Sequence, residues 1–160
     1  MIVVSDASPL NILVRVGCVH VLESLFGEVW ITPRVVSEMT HPHSPAALRA
    51  WVMNAPAWLH TRSPATLAET VSKGAGEREA ISLALELNAS LLLVDDLKAR
   101  QDAKRLGLAI TGTLGVLERA AEQRLISLPE VVVALRRSDF RIADELLNAA
   151  LERDRPRKGR

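Results

Sequence analysis

GAGEREAISLALELNASLLLVDDLKAR, residues 74–100, decides the fold. It reads as a helix start, an amphipathic helix, a tight turn, a buried strand and two adjacent carboxylates. Glu77 and Glu79 fall in the first helical turn, where the helix dipole favours acids. Ala80, Ile81, Ala84, Leu85 and Leu87 supply one apolar helical stripe. Asn88 is a residue type that takes the left-handed conformation ending such a helix. Residues 90–94 are then apolar without alternation, as expected of a parallel strand covered on both faces. The strand stops at Asp95 and Asp96. In open α/β folds that carboxyl edge is where ligands bind.

The start of the chain repeats the pattern. Ile2, Val3 and Val4 form a short apolar strand that runs into Asp6, and Ala7-Ser8-Pro9-Leu10 opens a helix. Ser8 is the expected N-cap, with Pro9 at the first helical position. If the two strands lie close in one parallel sheet, Asp6, Asp95 and Asp96 converge.

Outward from these stretches, strand and helix alternate to the end of the chain. Helices are predicted over 9–16, 19–26, 33–39, 46–54, 97–106, 114–123, 129–137 and 142–151. Strands are predicted over 28–31, 58–61 and 108–110. Thr32 with Pro33 marks a helix start whose Val35, Val36 and Met39 face inward, and Glu38 falls at the end of that helix among hydrophobic neighbours. Residues 63–72 read as a loop with a helical turn, and 41–73 is the least patterned region. Alternation of this kind predicts an α/β fold, a three-layer α/β/α sandwich with a central, mainly parallel sheet.

Composition narrows the class. A chain of 160 residues with 48% hydrophobic content makes one core. The formal net charge of +1 gives no global nucleic-acid signature. However, residues 153–160 (RDRPRKGR) carry five basic residues and one acid, leaving the body mildly acidic. The expected organisation is one domain over 1–152 and a basic, disordered tail over 153–160, solvated or reaching for a polyanion. A lone Cys18 fits a reducing cytoplasm. Asp6 falls too early for a secretory leader, and no apolar stretch approaches a membrane span. His41 and His43 flank a proline, but neither a Cys nor a third His lies at zinc-ligand spacing.

Clustered carboxylates repel unless a cation sits among them. Hard divalent ions with oxygen ligands, Mg²⁺ or Mn²⁺, answer that need, and such sites activate water for phosphoryl hydrolysis. Neither a nucleophile elbow nor a Cys-His constellation competes. Gly74 and Gly76 complete neither a dinucleotide fingerprint nor a Walker loop.

The segments VVSDASPLNILVRVG, ITPRVVSE, GAGEREAISLALE, LLLVDDLKAR and GLAITGTLGVLERA, in this order, resemble the PIN-domain family, the ribonuclease fold of VapC-type toxins. The likeness covers residues 1–39 and 74–121. It implies a Mg²⁺- or Mn²⁺-dependent endonuclease acting on RNA, generally dimeric and usually restrained by a small antitoxin protein. It also implies roles. Asp6 matches the first metal-coordinating acid and Ser8 the small hydroxyl after it. Glu38 matches the acid on the helix after the second strand. Glu79 stands where toxins of this fold usually carry Asp, with Glu77 beside it, and Asp95 or Asp96 matches the final acid. The resemblance thus assigns Asp6, Glu38, Glu79, Asp95 and Asp96 to catalysis, all but Glu38 as metal ligands, with Ser8, Glu77 and Arg100 in support.

Two other readings compete. A receiver-like phosphoacceptor domain also gathers strand-end aspartates, but it needs a Lys at a later strand end, where Thr111 stands here. A PIN-like module that binds nucleic acid or protein without cutting is the non-enzymatic alternative. With 3% aromatic residues and no Tyr, stacking platforms are scarce. RNA contacts would then fall to Lys and Arg.

Overall fold

The computed structural model describes residues 1–69 and 74–159, without the side chains of 158 and 159. Five strands form its sheet: β1 (Val3–Ser5), β2 (Val29–Ile31), β3 (Leu59–Thr61), β4 (Leu91–Leu93) and β5 (Ile110–Thr111). Their order is β3-β2-β1-β4-β5 and every pairing is parallel. β1 is registered with β4 as Val3 to Leu91 and Ser5 to Leu93. The chain builds outward from β1 in one direction through β2 and β3, then returns to its other side with β4 and β5. The strand order therefore reverses between β1 and β4, which opens a crevice at their carboxyl ends.

Strand pleating sends successive side chains to opposite faces, and the two cores follow that rule. Val3, Val29, Ile31, Leu91 and Leu93 belong to the larger core. It packs α1 (Ala7–Arg15), α2 (Val21–Phe26), α3 (Pro33–Met39), α4 (Ala46–Met53), α7 (Thr113–Glu122), α8 (Leu128–Arg137) and α9 (Asp144–Asp154). Val4, Leu92 and Val94 meet Ala80, Ile81, Leu83 and Ala84 of α5 (Ala75–Glu86) and Ala99 and Ala103 of α6 (Leu97–Arg105) on the other face. Three layers result, as expected, with β4 apolar on both sides.

Local signals mostly hold. Thr32 caps α3 by accepting from the Val35 N–H at 3.2 Å, and Asn88 takes φ 50 after α5. Three expectations are corrected. Ser8 is not a cap: Asp6 is the N-cap position of α1, so Ser8 and Pro9 lie inside the first turn. Leu85 faces outward at 37% exposure, and Leu83 takes its place in the buried stripe. Residues 63–69 form the expected loop of turns and bends, and the remainder of that stretch, 70–72, lies outside the described residues. The tail is not a loose arm, because α9 runs to Asp154 and a 3-10 helix follows over Arg155–Gly159. Arg153 forks onto Glu118 with Nε at 2.6 Å and Nη2 at 3.0 Å. Arg157 donates to the Glu118 carbonyl at 3.2 Å. A fixed bidentate pair of this kind holds the chain end against α7.

Among the described residues, no helix is long and apolar enough to cross a membrane. Cys18 is a buried free thiol whose burial raises its pKa.

Candidate active site

The crevice between β1 and β4 is lined by carboxylates from four elements. Asp6 follows β1 directly, its N–H donating to the Leu93 carbonyl of β4 at 2.9 Å. That bond continues the ladder one step past the strand and ties Asp6 to the sheet edge. The side chain is 5% exposed, makes no cap bond to α1, and leaves Oδ1 buried without a partner. Burial, opposed by the Ala7 amide and reinforced by Glu77, Glu38 and Asp95, pushes its pKa up to about 7. A carboxylate held in this way lacks a counter-charge.

Glu38 reaches the same place from α3. Gly76, in the first turn of α5, is what admits it: a Cβ there would overlap Glu38 Oε1. Burial raises the pKa of Glu38, and Glu77 and Glu79 raise it further against the pull of Arg34. Asp6, Ser8, Asn11, Glu38 and Glu77 line one cleft of about 280 Å³.

The two acids of α5 part company. Glu77 enters the cleft, whereas Glu79 lines a separate hollow with Arg34, Ser37 and Ser63 and lies 4.0 Å from Arg34 Nε. Residues two apart on a helix point about 200° apart. Glu79, expected where toxins of this fold usually carry Asp, lies here beside Arg34, while Glu77 holds the inward place.

The paired aspartates also divide. Asp95 Oδ2 accepts from Ser8 Oγ at 3.0 Å and from Thr113 Oγ1 at 2.7 Å, and Oδ1 accepts from the Thr113 N–H at 2.7 Å. Three donors fix its orientation and use three of about four acceptor positions. Gly112 makes room for this arrangement, since a Cβ there would sit 2.7 Å from Asp95 Oδ1 and 2.9 Å from Arg100 Nη1. Asp96 instead caps α6, accepting from the Ala99 N–H at 2.9 Å. The structure thus gathers Asp6, Glu38, Glu77 and Asp95. As placed, Asp96 caps α6 and Glu79 lies beside Arg34. Among the described residues, no three acids, histidines or cysteines stand close enough to chelate one ion as they are placed.

Asn11 and Thr113 belong to the site without having been expected there. Asn11 Oδ1 is buried without a donor. One turn on from Ser8 in an otherwise apolar stretch, Asn11 shares a helical face with it (i, i+3), and that spacing was the available signal. Thr113 comes from a segment whose strand-turn-helix character was visible but whose contact with Asp95, 18 positions away, was not.

A sequence-family model described as a PIN domain matches residues 2–155. No curated protein matches the chain. Among solved structures, a PilT N-terminus domain protein from the hyperthermophilic archaeon Sulfolobus solfataricus P2 is similar at 18% identity and a TM-score of 0.50. That match covers 89% of this chain and all of the other, a likeness of fold.

Proposed function

The chain belongs to the PIN-domain family, in general a nuclease fold, and from that premise we propose that it is a metal-dependent endoribonuclease. One observation carries the reading. Asp6 is a nearly fully buried carboxylate with an unpartnered oxygen among the charges of Glu38, Glu77 and Asp95. An all-oxygen set of acids suits Mg²⁺ or Mn²⁺, which keep several waters and need not be closed around by protein ligands. Asp6, Glu77 and Asp95 would hold the ion, with Glu38 beside them. Bound there, it would supply an activated water and compensate the charge building on the phosphoryl oxygens.

The chain's own residues do the positioning. Ser8 and Thr113 lock the Asp95 carboxylate, and the ladder bond from Asp6 to Leu93 fixes the spacing between the two strand ends. Of the four acids only Asp6 is buried, with Glu77 and Asp95 half-buried and Glu38 exposed, so the negative charge of a phosphodiester brought to the crevice would need offsetting there. The role of a toxin, with a small antitoxin protein as its restraint and a homodimer as its working form, is supported by the sequence resemblance alone. The spacing of the acids favours the non-catalytic PIN-like module as the second reading.

Metal binding separates the two acids of α5. Mn²⁺ at roughly 100 times its Kd should stabilise the wild type by about 2.7 kcal/mol, a rise in Tm of about 5–10 °C for a chain of this size. Glu77→Gln should lose that response and Glu79→Gln should keep it. The reverse pattern, read by thermal denaturation with and without Mn²⁺, would return Glu79 to the site.

A further inference from the structure

A second cleft, of about 710 Å³, begins at the same two residues, Ser8 and Asp95, and runs over the β5–α7 turn toward the start of α9. One wall is apolar, built from Ile12, Leu114, Phe140, Ile142 and Leu146, the last 57% exposed. The other carries Arg100 and, at the rim, Arg141.

Charge in this cleft is uneven. Of the acids near it, Glu118 is paired by Arg153, Asp139 by Arg15 at 2.8 Å and Asp144 by Arg136 at 3.4 Å, while Asp95 is held by the Ser8 and Thr113 donors and stands beside Arg100. Arg100 and Arg141 have no carboxylate partner among the described residues. Arg100 is half-buried, with Nη1 held over Gly112 beside Asp95. A half-buried guanidinium whose neighbouring carboxylate, Asp95, is already held by three other donors keeps N–H groups for a phosphate. The docked tail neutralises Glu118, the carboxylate that would otherwise repel one. An apolar wall facing such a phosphate suits an unstacked base, which a duplex does not present.

We propose that this cleft is the strand-binding groove of the site: Arg100 holds a phosphate next to the scissile one, and the Phe140–Leu146 wall receives the adjoining base of a single-stranded RNA. The assignment rests on the nuclease reading for the identity of the strand. It adds where the strand lies and which side chains hold it. A protein segment on the same wall would use its apolar side chains without needing Arg100, and the test separates the two.

The experiment is fluorescence anisotropy of a labelled single-stranded RNA in EDTA, so that neither metal nor cleavage enters, with the same sequence as duplex for comparison. Wild type, Arg100→Gln and Leu146→Asp are titrated at several salt concentrations, and the Tm of each variant is checked against wild type. Leu146 is an exposed rim position, so its variant is expected to fold. Both variants should bind the single strand at least tenfold more weakly, and Arg100→Gln should lower the magnitude of the salt slope by about 0.7, one phosphate contact on a single strand. The duplex should bind more weakly than the single strand. Three results would overturn the assignment: wild-type affinity and slope in both variants, a loss confined to Leu146→Asp with an unchanged slope, or no binding by wild type. Binding that follows the expected pattern in a protein that cuts nothing would count against the nuclease reading and leave the groove standing.

Discussion

Asp6→Asn is expected to make the metal-free protein more stable, by about 2–4 kcal/mol at pH 8. In the folded chain the Asp6 pKa is about 7, against an ordinary 3.8. Between those two values the folded state keeps a proton that the unfolded state has released. Stability therefore falls as pH rises from about 4 to about 7, and the whole penalty is present above pH 7. Each unit of pKa difference is worth 1.36 kcal/mol, which sets the upper end of the range. Asn has the same shape without the charge, so the variant should lose most of that slope and keep the smaller one from Glu38, whose pKa is also raised. Thermal melts at pH 4 and pH 8 decide it: the two proteins should converge at pH 4 and separate at pH 8, with the variant higher. A gap of constant size across that range would mean that Asp6 is not held against its charge. Mn²⁺ should narrow the gap at pH 8 by stabilising the wild type while leaving Asp6→Asn unmoved.

The second large effect is on catalysis. Asp95→Asn should lower single-turnover RNA cleavage by roughly two orders of magnitude or more, the scale of a lost transition-state electrostatic contact. Asp96→Asn should lose little, because its side chain caps α6 and Asn caps a helix as well as Asp does. Folding should survive in both. In Asp95→Asn the amide oxygen can still accept from the Thr113 N–H, and the Ser8 and Thr113 hydroxyls can rotate to accept from the new NH₂. RNA affinity in EDTA should hold or tighten, since each variant carries less negative charge near the phosphates. Binding titrations beside the cleavage assay check this, and equal losses of cleavage in the two variants would remove the distinction drawn between them.

Much of this was legible along the chain. A continuous apolar run ending in acid marks β4 because both faces of that strand are covered, by α1 and α7 on one side and α5 and α6 on the other. Alternating strands and helices gave the parallel sheet, and the strand-end acids gave the crevice. Choices between neighbours were not legible. Glu77 lies three and four positions before Ala80 and Ile81, and Glu79 three and four before Ser82 and Leu83, all of them buried, so spacing alone does not separate the two acids. Family position pointed to Glu79, and the place of Glu77 beside Asp6 and Glu38 shows only in the fold. Asp95 and Asp96 differ by what comes next: α6 begins directly after Asp96, so that residue is claimed as its cap. Ser8 was taken for a cap for lack of any view of Asp95, 87 positions on. The basic tail reads as solvated until Glu118, 35 positions back, is brought beside Arg153. In each of the last two cases the deciding partner is distant in sequence, and local pattern carries no information about it.

The central claim, that these acids serve ion-dependent hydrolysis of RNA, meets its most direct test in the unmodified protein. Labelled RNAs, single-stranded and structured, are incubated with excess wild type in Mn²⁺, in Mg²⁺ and in EDTA. Internal cleavage is expected with either ion, and intact RNA in EDTA. RNA that is bound yet remains intact with both ions would contradict the claim.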